Sequence, residues 1–383
     1  LAADQRVVLR EIQVRLDRRR AELSAKAAVE RATATIAVAN TSLLTLADDW
    51  AVLGNRGTEE FEVGTATFRI EIVDAGSMVN VNTATEESLR LLPLSDEQID
   101  GLLDWREDGA APRPSGGRNE YYEALEQPYE SARLPLSTVA ELLLVRGWTA
   151  RNLYGIDDSV QSTATLPTAD NGEPLPMAGV LTVDSGAPNN RADGSPRINL
   201  NQPGLNAAAF AQFGVDPLIA AQLIAAGPFT TLRELLIAPG VTPDVQQQLL
   251  DGATTIASDR LPGLINVNTA SQSVLETIPG LTSDVAAAIV SRQSTGLASL
   301  GELATIPGLE GPTLASIADR VTVAGDTWIV RALGRSGDTT VAVEAVVGMR
   351  SGRPKVLTYH RLPDTGVPAW WNWNSDSQSG ATR

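Results

Sequence analysis

Four acids, Asp104, Glu107, Asp108 and Glu120, bracket a stretch that holds Pro112, Pro114, Gly116 and Gly117, and Tyr121 and Tyr122 follow directly. Carboxylate oxygens on a glycine-bearing loop are the ligands calcium prefers, and folding such a loop around a cation would rigidify it. The same acids suit a plainly solvated loop. A second oxygen-rich stretch, Asp184 with Asp193-Gly194 near Asn189 and Asn190, is open to the same two readings. A different chemistry is offered by Ile278-Pro279-Gly280-Leu281-Thr282, which has the form of a helix-hairpin-helix turn. Glycine there lets backbone N–H groups approach a phosphate ahead of a helix N-terminus. Nucleic-acid binding also needs flanking cations, because charge neutralisation supplies most of the nonspecific affinity. Between residues 264 and 321, five acids (Glu276, Asp284, Glu302, Glu310, Asp319) face two arginines, Arg292 and Arg320. That balance favours a structural use of the hairpin, with glycine as a packing device, and makes DNA an unfavoured partner.

Catalysis finds no constellation. His360, the only histidine, lies beside Arg361 with no Gly-x-Ser-x-Gly elbow, phosphate loop or histidine-rich metal motif in the chain. A nucleophile without histidine would need a lysine or an N-terminal amine, and the only lysines, Lys26 and Lys355, stand in no such context. The sequence reads as non-enzymatic. Near the end, Trp370, Trp371 and Trp373 place three indoles in four positions. Exposed indoles are costly unless they cover something or meet a partner, so packing onto the protein's own sheet and anchoring an interface both fit.

The elements that would carry these groups can be read from periodicity. Residues 4–47 contain no Pro or Gly, and Val8, Ile12, Leu16 and Leu23 recur among regularly spaced charges, which predicts a long solvated helix with one apolar stripe. The run Arg18-Arg19-Arg20 is flanked by acids and reads as a charged helix face. Phe61-Glu62-Val63 and residues 66–72 alternate apolar with polar around Gly64-Thr65, as a hairpin of half-buried strands does. Three similar units then begin at Val79-Asn80-Val81-Asn82-Thr83-Ala84, Ile198-Asn199-Leu200-Asn201-Gln202-Pro203 and Ile265-Asn266-Val267-Asn268-Thr269-Ala270. Each continues as helix, turn, helix, a phrase such as Phe229-Thr230-Thr231-Leu232-Arg233-Glu234-Leu235-Leu236, and a second hairpin. With a period of about 60 residues, each unit is a two-hairpin helical module rather than a short solenoid repeat. The first unit is interrupted by residues 108–133. Residues 157–197 form a long connection with at most one strand, at Val180-Leu181-Thr182-Val183. Past the third unit the period returns to two, with turns at Ser336-Gly337-Asp338 and Ser351-Gly352-Arg353. These strands are expected to pair with the early ones, making the helical block an insertion in a sheet.

With 383 residues, 43% of them hydrophobic, the chain can build two or three domains with real cores. Its formal charge of -16 repels phosphate backbones and anionic membranes unless a local patch intervenes. Absence of cysteine removes disulfides, thiol nucleophiles and thiolate zinc sites. No run of 18 apolar residues occurs, and Leu1-Ala2-Ala3 meets Asp4 at once, so the sequence shows no signal peptide or membrane helix.

Taken in order, the phrases Asp48-Asp49-Trp50, Val79-Asn80-Val81-Asn82-Thr83-Ala84, Leu102-Leu103-Asp104-Trp105-Arg106 with Pro112-Arg113-Pro114 and Glu120-Tyr121-Tyr122, Glu141-Leu142-Leu143-Leu144-Val145-Arg146-Gly147 before Leu153-Tyr154-Gly155, and Gly179-Val180-Leu181-Thr182-Val183 resemble the general secretion pathway protein K family, the minor pseudopilin K of type II secretion. The resemblance spans nearly the whole chain, with one more asparagine-rich unit than a typical member. It implies an α+β fold: a pilin-like N-terminal helix over residues 1–50 and first strands over 51–78. An inserted helical domain of helix-hairpin-helix-like repeats would then occupy 79–323, with units at about 79–156, 197–257 and 264–323. The remaining strands over 324–363 and a Trp-rich tail over 364–383 would complete it. It further implies a protein at the tip of the pseudopilus that caps an assembly begun with minor pseudopilins I and J, with the major pseudopilin as a further partner. Members hold to the bacterial inner membrane by a single apolar helix that this sequence lacks, and place the soluble domain in the periplasm. The resemblance also raises calcium, with Asp104, Asp108 and Glu120 as candidate ligands. Two other classes compete: a helix-hairpin-helix DNA receptor of the competence type, and a type IV pilus tip adhesin using the Trp-rich tail.

Overall fold

Residues 2 to 36 contain neither Pro nor Gly and are rich in Ala, Arg and Glu, good helix formers, and in the computed structural model they form one helix, α1 (Ala2–Ile36). The structure describes residues 2–109, 111–155, 175–363 and 366–373, without the side chains of residues 2–5. Much of the expected connection (residues 157–174) and the last part of the expected tail (374–383) lie outside the described residues. After α1 come a short helix α2 (Asp49–Val52) and strands β1 (Glu60–Val63), β2 (Ala66–Asp74) and β3 (Val79–Asn80). The first repeat carries α3 (Glu86–Leu89), α4 (Asp96–Arg106), α5 (Asn119–Glu123), a 3-10 segment Val139–Leu144 and α6 (Ala150–Tyr154). Strands β4 (Leu181–Thr182), β5 (Gly186–Pro188) and β6 (Ile198–Asn199) lead into α7 (Ala207–Phe210), α8 (Pro217–Ala226), α9 (Leu232–Leu236) and α10 (Pro243–Gly252). Then follow β7 (Ala253–Thr254), β8 (Arg260–Pro262), β9 (Ile265–Asn266), α11 (Gln272–Leu275), α12 (Ser283–Arg292), a 3-10 segment Leu300–Thr305, α13 (Pro312–Ile317) and β10 (Val321–Thr322). Three long strands close the chain: β11 (Thr327–Ser336), β12 (Thr339–Arg350) and β13 (Arg353–Arg361).

Two units result. One comprises Leu1–Ala39, Ala47–Asp74 and Thr327–Arg383, the other Asn40–Leu46 and Ala75–Asp326. In the first, a sheet of order β1-β2-β11-β12-β13 is antiparallel throughout. The early strands do pair with the late ones, and Asp74 at the end of β2 sits opposite Trp328 at the start of β11. The helical block therefore leaves and re-enters the sheet at neighbouring points. The turn between β12 and β13 uses Ser351 and Gly352, both at positive φ, as a two-residue hairpin with right-handed twist requires.

The helix α1 packs on β2, β11 and β12 through a face different from the expected one. Ala21, Ala25, Ala28, Ala32 and Ile36, spaced three and four apart, are fully buried. Val8, Ile12, Leu16 and Leu23, the expected stripe, remain about half exposed. Small side chains let the helix backbone rest on the sheet: a Cβ on Gly334 of β11 would stand 2.0 Å from the Ala21 carbonyl oxygen. Contact begins near Asp17, whose carboxylate accepts the Ser336 hydroxyl at 3.0 Å at the end of β11, so the earlier apolar residues have no strand to cover them. The helix also stops at Ile36 rather than near residue 47. The Asn40 side chain accepts the Ser42 N–H at 3.1 Å, a local turn that competes with helix. Leu44 then donates its N–H to the Val323 carbonyl at 2.8 Å and is fully buried within the second unit.

In the second unit every repeat is closed by its own pair of parallel strands: β3 with β4, β6 with β7, and β9 with β10. The first repeat thus runs past residue 156 to β4. The long connection, expected to hold at most one strand, carries both β4 and β5, and β5 pairs antiparallel with β8. Helix starts follow the side-chain chemistry: Ser95 and Gln98 form a capping box on α4, and Asn206, Asp216, Thr231, Thr242 and Ser271 cap their helices by accepting backbone N–H groups. One continuous core, including Leu142, Leu153, Leu235, Leu249, Leu275 and Leu303, runs through all three repeats.

Candidate functional site

The asparagine motif that opens each repeat is a hinge of hydrogen bonds. Asn80, Asn199 and Asn266 each accept the N–H of the residue two positions on, at 2.9, 2.9 and 3.0 Å. The second asparagine then acts like a piece of strand. Asn82 accepts the Leu136 N–H at 2.8 Å and donates to the carbonyls of Leu136 and Val183, both at 2.8 Å. Asn201 treats Phe229 the same way, at 2.8 and 2.7 Å, and reaches the Thr255 carbonyl at 3.1 Å. Asn268 does so with Leu297, at 2.8 and 3.0 Å. A primary amide is suited to this, since it donates and accepts side by side as a peptide group does. The repeat opening is also tied to the end of its long helix. Arg106 bonds the carbonyls of Val81 and Ala84, and in the third repeat Gln293 donates to Val267 and Ala270 at 2.9 and 2.7 Å. These roles were missed from the sequence, although the threefold recurrence of the motif was the available signal.

The hairpin glycines pack inward. Gly147, Gly240 and Gly308 all have positive φ, and a Cβ there would meet Glu97-Gln98 of α4, Ile219 of α8 and Val285 of α12, within 3.2 Å in every case. Each second hairpin therefore seats its glycine on the first turn of the long helix in the same repeat. Gly280, the glycine of the Ile278-Pro279-Gly280-Leu281-Thr282 turn, likewise faces Ser316 of α13 at 2.9 Å. The turn geometry is that of a helix-hairpin-helix, and its glycines serve close packing.

The three candidate calcium ligands do not converge. Asp104 is wholly buried: one carboxylate oxygen takes the Arg113 guanidinium at 3.0 Å and Arg118 at 3.5 Å, and the other accepts the Arg113 backbone N–H at 2.9 Å. Asp108 has a side chain 86% exposed, with Arg133 at 3.9 Å, and Glu120 is an exposed residue in the first turn of α5. Calcium wants six or more oxygen ligands, and this set offers Asp104 already engaged by two cations. The residues do not fit the metal. Among the described residues no three acids or histidines gather closely enough to hold a metal ion. Glu107 belongs to the same network, accepting Arg113 at 2.6 Å. Burial would raise its carboxyl, but the bond and charge of Arg113, with Arg106 beside it, hold it below the usual range. The second oxygen-rich stretch is engaged as well: Arg260 bridges Asp184 at 2.8 Å and Asp326 at 2.6 Å, while Asp193 accepts the Ser195 N–H and hydroxyl.

The indoles pack back onto the first unit's own sheet. Trp370, Trp371 and Trp373 are 7%, 1% and 7% exposed. Beneath them the register sets Arg331 between Glu71 and Glu344, and the buried guanidinium takes Glu71 at 3.1 Å. Trp371 donates to Glu344 at 3.1 Å and Trp373 to Glu71 at 2.8 Å, so the indoles supply the remaining donors for two part-buried carboxylates.

Comparison with known proteins gives a consistent picture. Residues 85–158 match the family described as type II secretion system (T2SS), protein K, and residues 263–322 match the helix-hairpin-helix motif. The fold is similar to a chain in the crystal structure of the GspK-GspI-GspJ complex from the enterotoxigenic Escherichia coli type 2 secretion system. The TM-score is 0.50 at 13% identity, over 94% of this chain and 99% of that one. No curated protein matches. At that identity the likeness speaks for the fold. The resemblance to general secretion pathway protein K thus stands on a family match across the first repeat and on a fold shared along nearly the whole chain.

Proposed function

We propose that the chain is a minor pseudopilin of the type II secretion system, acting at the tip of the pseudopilus, where it initiates or caps a filament with minor pseudopilins I and J. The observation that carries this reading is the insertion: Ala75–Asp326 departs and returns between two paired strands, β2 and β11, of a helix-on-sheet body. In a filament built by side-by-side packing of such bodies, a subunit with so large an appendage has room only where no further subunit follows. The half-exposed residues Val7, Val8, Leu9, Ile12, Val14 and Leu16 of α1 would supply the packing surface toward the partners. The role is structural, and the reading puts both units in the periplasm, held to the inner membrane as pseudopilins are. No single described helix is long and apolar enough to cross a membrane.

The test is co-expression with pseudopilins I and J. A stable complex with one copy of each, seen by size exclusion with light scattering and weakened by charged substitutions at Leu9 and Ile12, is the expected result. The helix-hairpin-helix match keeps a competence-type DNA receptor as the rival. A duplex-DNA shift whose salt dependence reports several released ions, without binding to I and J, would replace the proposal. Retention on a solid surface without such binding would replace it with an adhesin.

A further inference from the structure

The stretch that interrupts the first repeat lies directly on α4. Asp100 and Asp104, one helical turn apart, face it: Asp100 accepts the Ser115 N–H at 3.0 Å and Asp104 the Arg113 N–H at 2.9 Å. The approach is so close that a Cβ on Gly116 would stand 2.0 Å from an Asp104 carboxylate oxygen. No space for a hydrated ion separates carboxylate from backbone. The positive charge comes instead from the chain. Arg113 forks between Asp104 at 3.0 Å and Glu107 at 2.6 Å. The Arg118 side chain, 6% exposed, donates to the Glu107 carbonyl at 2.6 Å, and Arg146 reaches the Gly116 carbonyl at 2.6 Å.

We propose that guanidinium groups, chiefly Arg113 and Arg118, hold this loop where its acids could otherwise have taken a divalent cation, so that the first repeat folds and stays folded without one. The planar fork of arginine fits the assignment, because it meets two carboxylates at once and keeps its charge at all physiological pH values. Four carboxylates (Glu97, Asp100, Asp104, Glu107) against four guanidiniums (Arg106, Arg113, Arg118, Arg146) leave no net negative charge to attract a dication. The inference does not rest on the pseudopilin reading, and its readouts need neither partner pseudopilin.

The test uses the purified chain in two arms. Calcium and chelator titrations of the unaltered protein should leave the thermal midpoint unmoved and give no saturable heat in calorimetry; a saturable upward shift with calcium overturns the proposal. In the second arm, cleavage after Glu107 by a glutamyl endopeptidase reports loop opening without relying on the arginines. Arg113→Ala should accelerate that cleavage roughly tenfold, the change that about 1.4 kcal/mol of lost contact produces, while Arg113→Lys, which keeps the charge but loses the fork, falls between. Unchanged cleavage in Arg113→Ala sinks the idea. If Arg113→Ala fails to fold, Arg118→Lys and the calcium titration of the unaltered chain decide it.

Discussion

Asn268 shows how much of this protein depends on single amides. Its side chain is buried, and it is hydrogen-bonded to both backbone groups of Leu297, which is itself buried. Truncation to Ala would strand a donor and an acceptor away from water. Each such group costs about 1–3 kcal/mol, so Asn268→Ala is expected to lose roughly 2–6 kcal/mol in a denaturant titration. Asn201 makes the same bonds from an exposed position where water can replace it, and Asn201→Ala is expected to cost less than half as much. Equal losses in the two variants would show that the amides are not acting through backbone satisfaction. The acids teach the complementary lesson. Asp104, Asp108 and Glu120 are near one another in sequence, yet the fold turns one into the buried partner of two arginines and leaves the others at the surface. Residue type alone could not separate a ligand set from an ion-pair network, because an arginine and a calcium ion satisfy a carboxylate equally well.

Among the elements, α1 was legible as a helix and misread as a face. Apolar periodicity pointed to Val8, Ile12, Leu16 and Leu23, whereas the sheet is met by alanines, which carry too little hydrophobicity to dominate a pattern. Their value is in closeness: the helix backbone rests on Gly334 of β11. Gly334→Ala forces the two apart, and overpacking of this kind costs about 1–3 kcal/mol. A lowered unfolding midpoint with the strands of the sheet still present in far-UV circular dichroism is the expected outcome, and a midpoint equal to that of the unaltered protein would contradict the packing described. The late strands were legible because they are long runs rich in β-branched and other apolar residues, bounded by turns that carry Ser351-Gly352 and Gly337. The two-residue strands that close the repeats have too little length to show a period. Only their parallel partners, β4, β7 and β10, reveal them.

At the scale of the molecule, the insertion makes a prediction of its own. Since Asp74 and Trp328 are paired, a two-residue Asn-Gly turn between them should replace residues 75–327, all of the second unit except Asn40–Leu46, and leave α1 and the sheet able to fold. Trp328, packed edge-on against Trp50 at 6.4 Å, gives the readout: its fluorescence should remain that of a buried indole and change in one cooperative transition. A chain that stays unfolded would mean the sheet depends on the inserted unit. A long helix, strands flanking a block of three two-hairpin repeats, and an excess of acids in the third repeat could all be read from the chain alone; these are matters of periodicity, recurrence and net charge, which survive without coordinates. The packed fold was needed to show which face of α1 is buried, what the asparagines hold, where the indoles of Trp370, Trp371 and Trp373 go, and that Arg113 and Arg118 pair with Asp104. Most of those depend on groups separated along the chain coming into direct contact, and contact at that range is a property of the packed fold rather than of local sequence.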